Sequence, residues 1–245
     1  MTLRIGVGGW TYEPWRGVFY PEGLAHKREL EYAARKLTAI EINATYYGRQ
    51  KPQSWVNWGA AVPEGFKFTI KASRYCTARK LLADGKQSID TFLQQGFTAL
   101  GSKLGPINWQ LADGKPFERE DFARFLDLIP DVRDGVPLRH ALEVRHESFR
   151  DPAFLDLARA RNMAVIFADS YDFPNIEEQT ADFSYARLHR AIDIPETGYD
   201  AGAMEGVAEQ ARLWAVGARD VFIYFISGDK VRNPAAARAL IEKLA

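Results

Sequence analysis

A chain of 245 residues, 47% of them apolar and 13% aromatic, carries enough hydrophobic surface to bury a large core, which excludes a disordered polypeptide. Lysine plus arginine balances aspartate plus glutamate at 32 each, so no net field draws the chain to nucleic acid or to an anionic membrane. The single cysteine, Cys76, excludes an internal disulfide, and no apolar run approaches the roughly 20 residues of a membrane-spanning helix.

In chain order, strands are expected over residues 3–9, 39–43, 66–71, 106–111, 138–145, 164–169, 184–189 and 221–225. Helical stripes with spacings of three and four fall between them: Leu30, Ala33, Ala34 and Leu37; Ile89, Phe92, Leu93, Gly96 and Phe97; Phe122, Phe125, Leu126 and Ile129; Met204, Val207, Ala208 and Ala211; Ala236, Leu240, Ile241 and Leu244. Asp151-Pro152 and Asn233-Pro234 each set a capping residue before a proline suited to the first helical turn. The stretch SYDFPNIEEQTAD, after the sixth strand, has the weakest helical pattern. The first residues, MTLRIGVGGW, show neither an apolar signal core nor a small-residue cleavage site, so the cytoplasm is the expected compartment.

Strands alternating with helices call for parallel pairing through right-handed crossovers, and eight such units predict a single-domain (β/α)8 TIM-type barrel over residues 1–245. The glycines in GVGGWTY lack the third position of a dinucleotide fingerprint. Links that follow strands are long and decorated, and links that precede strands are short, which points to one working face at the carboxyl ends of the strands.

The outward parity of each strand meets helices and must be apolar, so the other parity faces the lumen. That parity holds Glu41 and Asn43, then Lys67, Thr69 and Lys71, then Asn108 and Gln110, then Glu143 and Arg145, then Tyr185, Arg187 and His189, and finally Tyr224. Asp169 ends the sixth strand with ambiguous parity. A ring of inward polar groups points to a ligand site, because unpaired buried charge costs several kcal/mol per group. The same residues also suit ion pairs that merely fill the lumen, Glu143 with Arg187 and Glu41 with Lys71 or Arg145. On the rim, Trp10, Tyr12 and Tyr46 offer faces for stacking, while Phe19 suits packing. Arg74 joins Lys71 in a basic loop fit for phosphate or carboxylate.

These segments resemble the domain-of-unknown-function 72 family of YecE-like proteins. The likeness runs through IGVGGWTYEPWRGVFYP, EINATYYG, FKFTIKASRYCT, LGSKLGPINWQL, ALEVRHESF, YARLH and YFISGDKVRNPAAARAL in that order. It implies a TIM-type barrel, and it carries site positions rather than a reaction: Glu41, Asn43, Lys71, Gln110, Glu143, Arg145, His146, Asp169, Arg187 and His189. Ala78, Arg190, Ile226-Ser227 and Ala112-Asp113 depart from the family pattern on the rim.

The function expected first is an acid/base enzyme of hydrolase or lyase type, acting on a polar, sugar-like or phosphorylated small molecule. Glu41, Lys71, Glu143 and His189 are its catalytic residues; Trp10, Tyr12, Asn43, Tyr46, Arg74, Gln110, Arg145, Asp169, Arg187 and Tyr224 bind the ligand. A lowered proton affinity at Lys71 adds imine chemistry as a variant. No cofactor is required, although the donor types leave room for a divalent metal. Two alternatives follow: a metal-dependent phosphodiesterase or DNA-acting enzyme, by analogy with barrel endonucleases, and a non-catalytic module binding nucleotide or nucleic acid. Balanced charge makes nucleic acid the less favoured partner.

Overall fold

The computed structural model describes residues 2–192, 196–227 and 230–245. Eight parallel strand positions ring a lumen: β1 (Leu3–Gly8), β2 (Ala39–Ile42), β3 (Lys67–Lys71), β4 (Leu104–Gln110), β5 (His140–Glu143), β6, β7 (Phe183–Leu188) and β8 (Asp220–Phe225). β8 pairs with β1, which carries the sheet across the chain's two ends. β6 is split into Ala164–Val165, which pairs with β5, and Phe167–Asp169, which pairs with β7. The two ends of the hydrogen-bonded sheet are thus consecutive pieces of one strand, and the cylinder closes except for this step. The step has a visible cause. The Thr180 hydroxyl accepts from Val165 N at 2.9 Å and donates to Met163 O at 2.7 Å, supplying a side chain where the neighbouring strand's backbone would otherwise pair.

The apolar residues sort into two separate cores, as the parity of the strands requires. Ile5, Ile40, Ile42, Phe68, Ile70, Ile107, Trp109, Leu142, Leu188 and Ile223 point outward and are covered by the helices. Ala39, Ala141, Ala164, Ile166, Phe183, Tyr185, Phe222 and Tyr224 fill the lumen. β1 and β2 approach so closely that a Cβ on Gly6 would lie 1.8 Å from Ala39 O, so only glycine fits there.

The helices are α1 (Glu29–Ala34), α2 (Ala44–Tyr47), α3 (Pro52–Ala61), α4 (Arg74–Thr77), α5 (Lys86–Leu93), α6 (Arg119–Asp127), α7 (Pro152–Ala160), α8 (Ala201–Trp214) and α9 (Asn233–Leu244). Asp151 caps α7, accepting from Ala153 N at 2.8 Å. Some expectations need correction. α5 stops at Leu93 rather than running through Phe97, because Gly96 adopts the left-handed conformation (φ 82°) and a 3-10 segment follows. Asn233 is the first residue of α9 and not its cap; its amide oxygen accepts from the Ser227 hydroxyl. α3 was not anticipated: it starts on Pro52 and buries Trp55 against Trp58 and Phe97. Residues 170–182 are irregular, as their weak pattern implied. Among the described residues no helix is long and apolar enough to cross a membrane.

Candidate functional site

The carboxyl ends of β2, β3, β4, β5 and β7 bring Glu41, Lys71, Asn108, Gln110, Glu143 and Arg187 together above the apolar plug, and all six are buried. Arg187 is the hub. Its Nη1 donates to both oxygens of Glu143, at 2.7 and 2.8 Å, and its Nη2 donates to Glu41 Oε1 at 3.1 Å. The Asn108 amide nitrogen donates to Glu143 Oε2 at 3.0 Å and to Glu41 Oε2 at 3.5 Å. From below, the Tyr185 hydroxyl donates to Glu41 Oε2 at 2.5 Å and shares a 3.1 Å hydrogen bond with Thr69. The space between the two carboxylates is therefore filled by an amide and a guanidinium.

Burial, the largest single influence, pushes both carboxyls up, but it is more than offset by Arg187 together with Lys71 and the Tyr185 hydroxyl at Glu41, and by Arg187 together with Arg145, Lys71 and Asn108 at Glu143; both groups sit below the usual carboxylate range. Glu41 and Glu143 are thus held as anions. Arg145 lies nearer the rim. It donates to Glu143 Oε1 at 3.0 Å and to Gln110 Oε1 at 3.0 Å, and its outer Nη1 pairs with the exposed Asp113 at 3.0 Å. Its guanidinium also covers the Phe173 ring at 4.1 Å.

Two functional groups have no hydrogen bond or ion pair among the described residues. Lys71 Nζ sits 4.5 Å from the centre of the Tyr46 ring, and burial followed by the charge of Arg187 brings its ammonium down to about 8, against the pull of Glu143 and Glu41. His189 Nε2 is buried without a partner, and burial followed by Arg187 brings the imidazole down to about 4, so it is neutral at pH 7. Lys71, His189, Arg145 and Arg187 line one open cleft of about 470 Å³, with Gly8, Gly9, Trp10, Asn43, Tyr47 and Lys230 around them. A Cβ on Gly8 would stand 2.6 Å from the Asn43 amide nitrogen, so any larger residue there would displace that side chain in the cleft.

Several sequence-predicted site residues lie elsewhere. Asp169 shares its parity with Phe167, which packs outward on Trp214 of α8, and its carboxylate pairs with Arg190 outside the lumen. Tyr224 is wholly buried in the plug against Tyr185. Arg74 is exposed beside Tyr75, and Tyr12 sits behind the rim, between Trp15 and Lys230. His146 turns back to Ser148, its Nδ1 2.8 Å from that hydroxyl. Asn108 and Tyr185 belong to the network although only their parity marked them. Phe173 stands in an irregular segment whose pattern carried no signal, and Lys230, which opens a 3-10 turn (Lys230–Arg232), lies in a stretch that carried the family resemblance without being marked as a site residue. For a divalent metal the donors do not fit: Arg187 occupies both carboxylates, and among the described residues no group of three His, Cys, Asp or Glu side chains is set to hold an ion.

Curated relatives match over part of their length. UPF0759 protein YunF of Bacillus subtilis (strain 168) is 23% identical over 159 residues, 63% of this chain and 54% of that protein. UPF0759 protein YecE of Escherichia coli (strain K12) is 26% identical over 140 residues, 56% of this chain and 48% of that protein. The matches thus span about half the length of each relative. Among solved structures, a DUF72 family protein from Thermotoga maritima MSB8 superposes with a TM-score of 0.78 at 23% identity, covering 99% of this chain and 98% of that one. A second DUF72 family protein, from Enterococcus faecalis V583, gives 0.75 at 16% identity, with 99% and 97% covered. These likenesses agree on an α/β TIM-type barrel, and residues 4–245 match the family described as "Protein of unknown function DUF72", to which this chain belongs.

Proposed function

We propose that the protein is an acid/base enzyme of hydrolase or lyase type, acting at the carboxyl face of the barrel on a small polar molecule that carries a carboxylate or phosphate. The observation that carries this reading is the charge facing an open cleft: Lys71, Arg145 and Arg187 surround Glu41 and Glu143, the third carboxylate is the exposed Asp113 on the outer side of Arg145, and Lys71 is the cation with no ion pair among the described residues. An anion entering the cleft would complete the balance, with the outer nitrogen of Arg145 exchanging its exposed Asp113 partner for the ligand. The Asn43 amide on the rim is positioned for a ligand hydroxyl.

Proton transfer falls to His189. Once a bound anion offsets the cations that hold its proton affinity down, the neutral imidazole accepts a proton from a bound hydroxyl or water and returns it to a leaving group. Glu41 and Glu143, clamped as anions, are weak bases, and their part is to hold Arg187 and Arg145 in place. Inorganic phosphate is the simplest probe. It is expected to raise the melting temperature of the wild type, with affinity at least about tenfold weaker in Lys71→Met, the loss of one charge-assisted contact. His189→Asn is expected to bind phosphate as the wild type does. A cleft that ignores phosphate and small carboxylates, or binds them equally without Lys71, would overturn the reading.

A further inference from the structure

β3 projects two lysines on its inward parity, and their fates differ. Lys67, at the amino end, donates from Nζ to Ser102 O at 2.6 Å. Lys71, at the carboxyl end, has no hydrogen bond or ion pair among the described residues, rests against the Tyr46 ring and lines the cleft. A lysine kept to neutralise a carboxylate would touch one, yet Glu41 and Glu143 have both given their oxygens to Arg187, Arg145, Asn108 and Tyr185. Burial beside two guanidiniums favours the neutral, nucleophilic form of this amine, against the pull of the Tyr46 ring on its charged form. Burial agrees: only 8% of Lys71 is exposed.

We propose that Lys71 is a covalent nucleophile that condenses with the carbonyl group of a small aldehyde or ketone bearing a carboxylate or phosphate. The inference rests on the anion-binding reading of the same cleft. The Nζ lone pair forms a bond to the carbonyl carbon as the carbonyl π pair moves to oxygen, and that oxygen takes one of the two amine protons to become a hydroxyl. His189 Nε2 accepts the second proton from the nitrogen and returns it to that hydroxyl, which leaves as water as the nitrogen lone pair closes the C=N bond. The product is an imine, one water is released, and nothing is oxidised or reduced. Protonated, the imine draws electrons from the adjacent carbon and labilises its bonds to hydrogen or carbon, which is lyase or isomerase chemistry.

The test is reductive trapping on the full chain. Protein is incubated with pyruvate, glyoxylate or glyceraldehyde 3-phosphate, with acetone as the uncharged control, and sodium cyanoborohydride supplies the hydride that fixes any imine as an amine. Intact mass and peptide mapping are expected to show one adduct per chain, at Lys71, from the anionic carbonyls and not from acetone, and inorganic phosphate should suppress it. Lys71→Arg keeps the charge and is expected to retain phosphate stabilisation while giving no adduct at position 71. If that variant does not fold, phosphate competition in the wild type decides alone. Adducts scattered over surface lysines, or a Lys71 adduct indifferent to phosphate, would overturn the proposal. Absence of any adduct alongside Lys71-dependent phosphate binding would remove the imine and leave the anion site; absence of both would remove both.

Discussion

The lumen of this barrel is two materials stacked end to end. Toward the amino ends of the strands, Ala39, Ala141, Ala164, Phe183 and Phe222 form a dry plug; toward the carboxyl ends, the same inward parity holds Glu41, Lys71, Asn108, Glu143 and Arg187. The plug is what stability alone selects, since apolar burial needs no partner. Lys71 apart, the charged layer needs every member in place, because each ion loses several kcal/mol of hydration that only its neighbours return. On the function proposed above, the contrast marks where something other than stability shaped the lumen. Tyr185 joins the halves, its ring stacked on Phe222 and its hydroxyl on Glu41.

The sharpest way to break the contrast is Arg187→Met. It strands two buried carboxylates, and unfolding in denaturant is expected to show a loss toward the upper end of about 3–5 kcal/mol. The loss carries a pH signature. In the wild type both carboxyls are held below their unfolded value near about 4.3, so their contribution is complete above that pH and fades as acid reaches the folded values. Without Arg187 the variant's acid transition should begin at a higher pH. Phe222→Ala attacks the plug instead. A cavity against Tyr185 and Phe183 is expected to cost toward the lower end of about 3–5 kcal/mol, with no dependence on pH and no effect on phosphate binding.

Lys71→Met should have the smallest effect, and of opposite sign. Burying an ammonium whose folded value has fallen to about 8 opposes folding at pH 7, so the variant is expected to be more stable by about 1 kcal/mol or more. Between pH 8 and about 10.4 the unfolded chain holds the extra proton, the wild type gains stability, and the advantage of the variant should narrow. Paired melting curves across that range check it; a lysine that proves stabilising at pH 7 would make the layer a pure ion-pair network.

Strand parity made the charged layer legible: alternation in EIN, FTIK, INWQ, ALEV and YARLH placed Glu41, Lys71, Gln110, Glu143 and Arg187 on one side of their strands. Asp169 escaped the rule because AVIFAD is apolar on both faces, and only the packing of Phe167 on Trp214 reveals which side is outward. Pairings across the lumen were not legible. Arg187 neighbours Tyr224 in its own ladder, yet bonds Glu41 and Glu143 from β2 and β5, a choice set by barrel stagger. α3 escaped because its buried stripe is narrow, with Trp55 its one fully buried side chain, leaving little periodicity to read.

Thr180 gives the cylinder an uneven circumference. Along most of its girth the wall is fastened backbone to backbone, but beside Val165 a hydroxyl from an irregular segment stands in for a missing rung, and a side chain can swing away where a peptide group cannot. Water is expected to reach the wall first along that line, so the path by which the barrel loosens runs beside β6, on the flank away from Lys71.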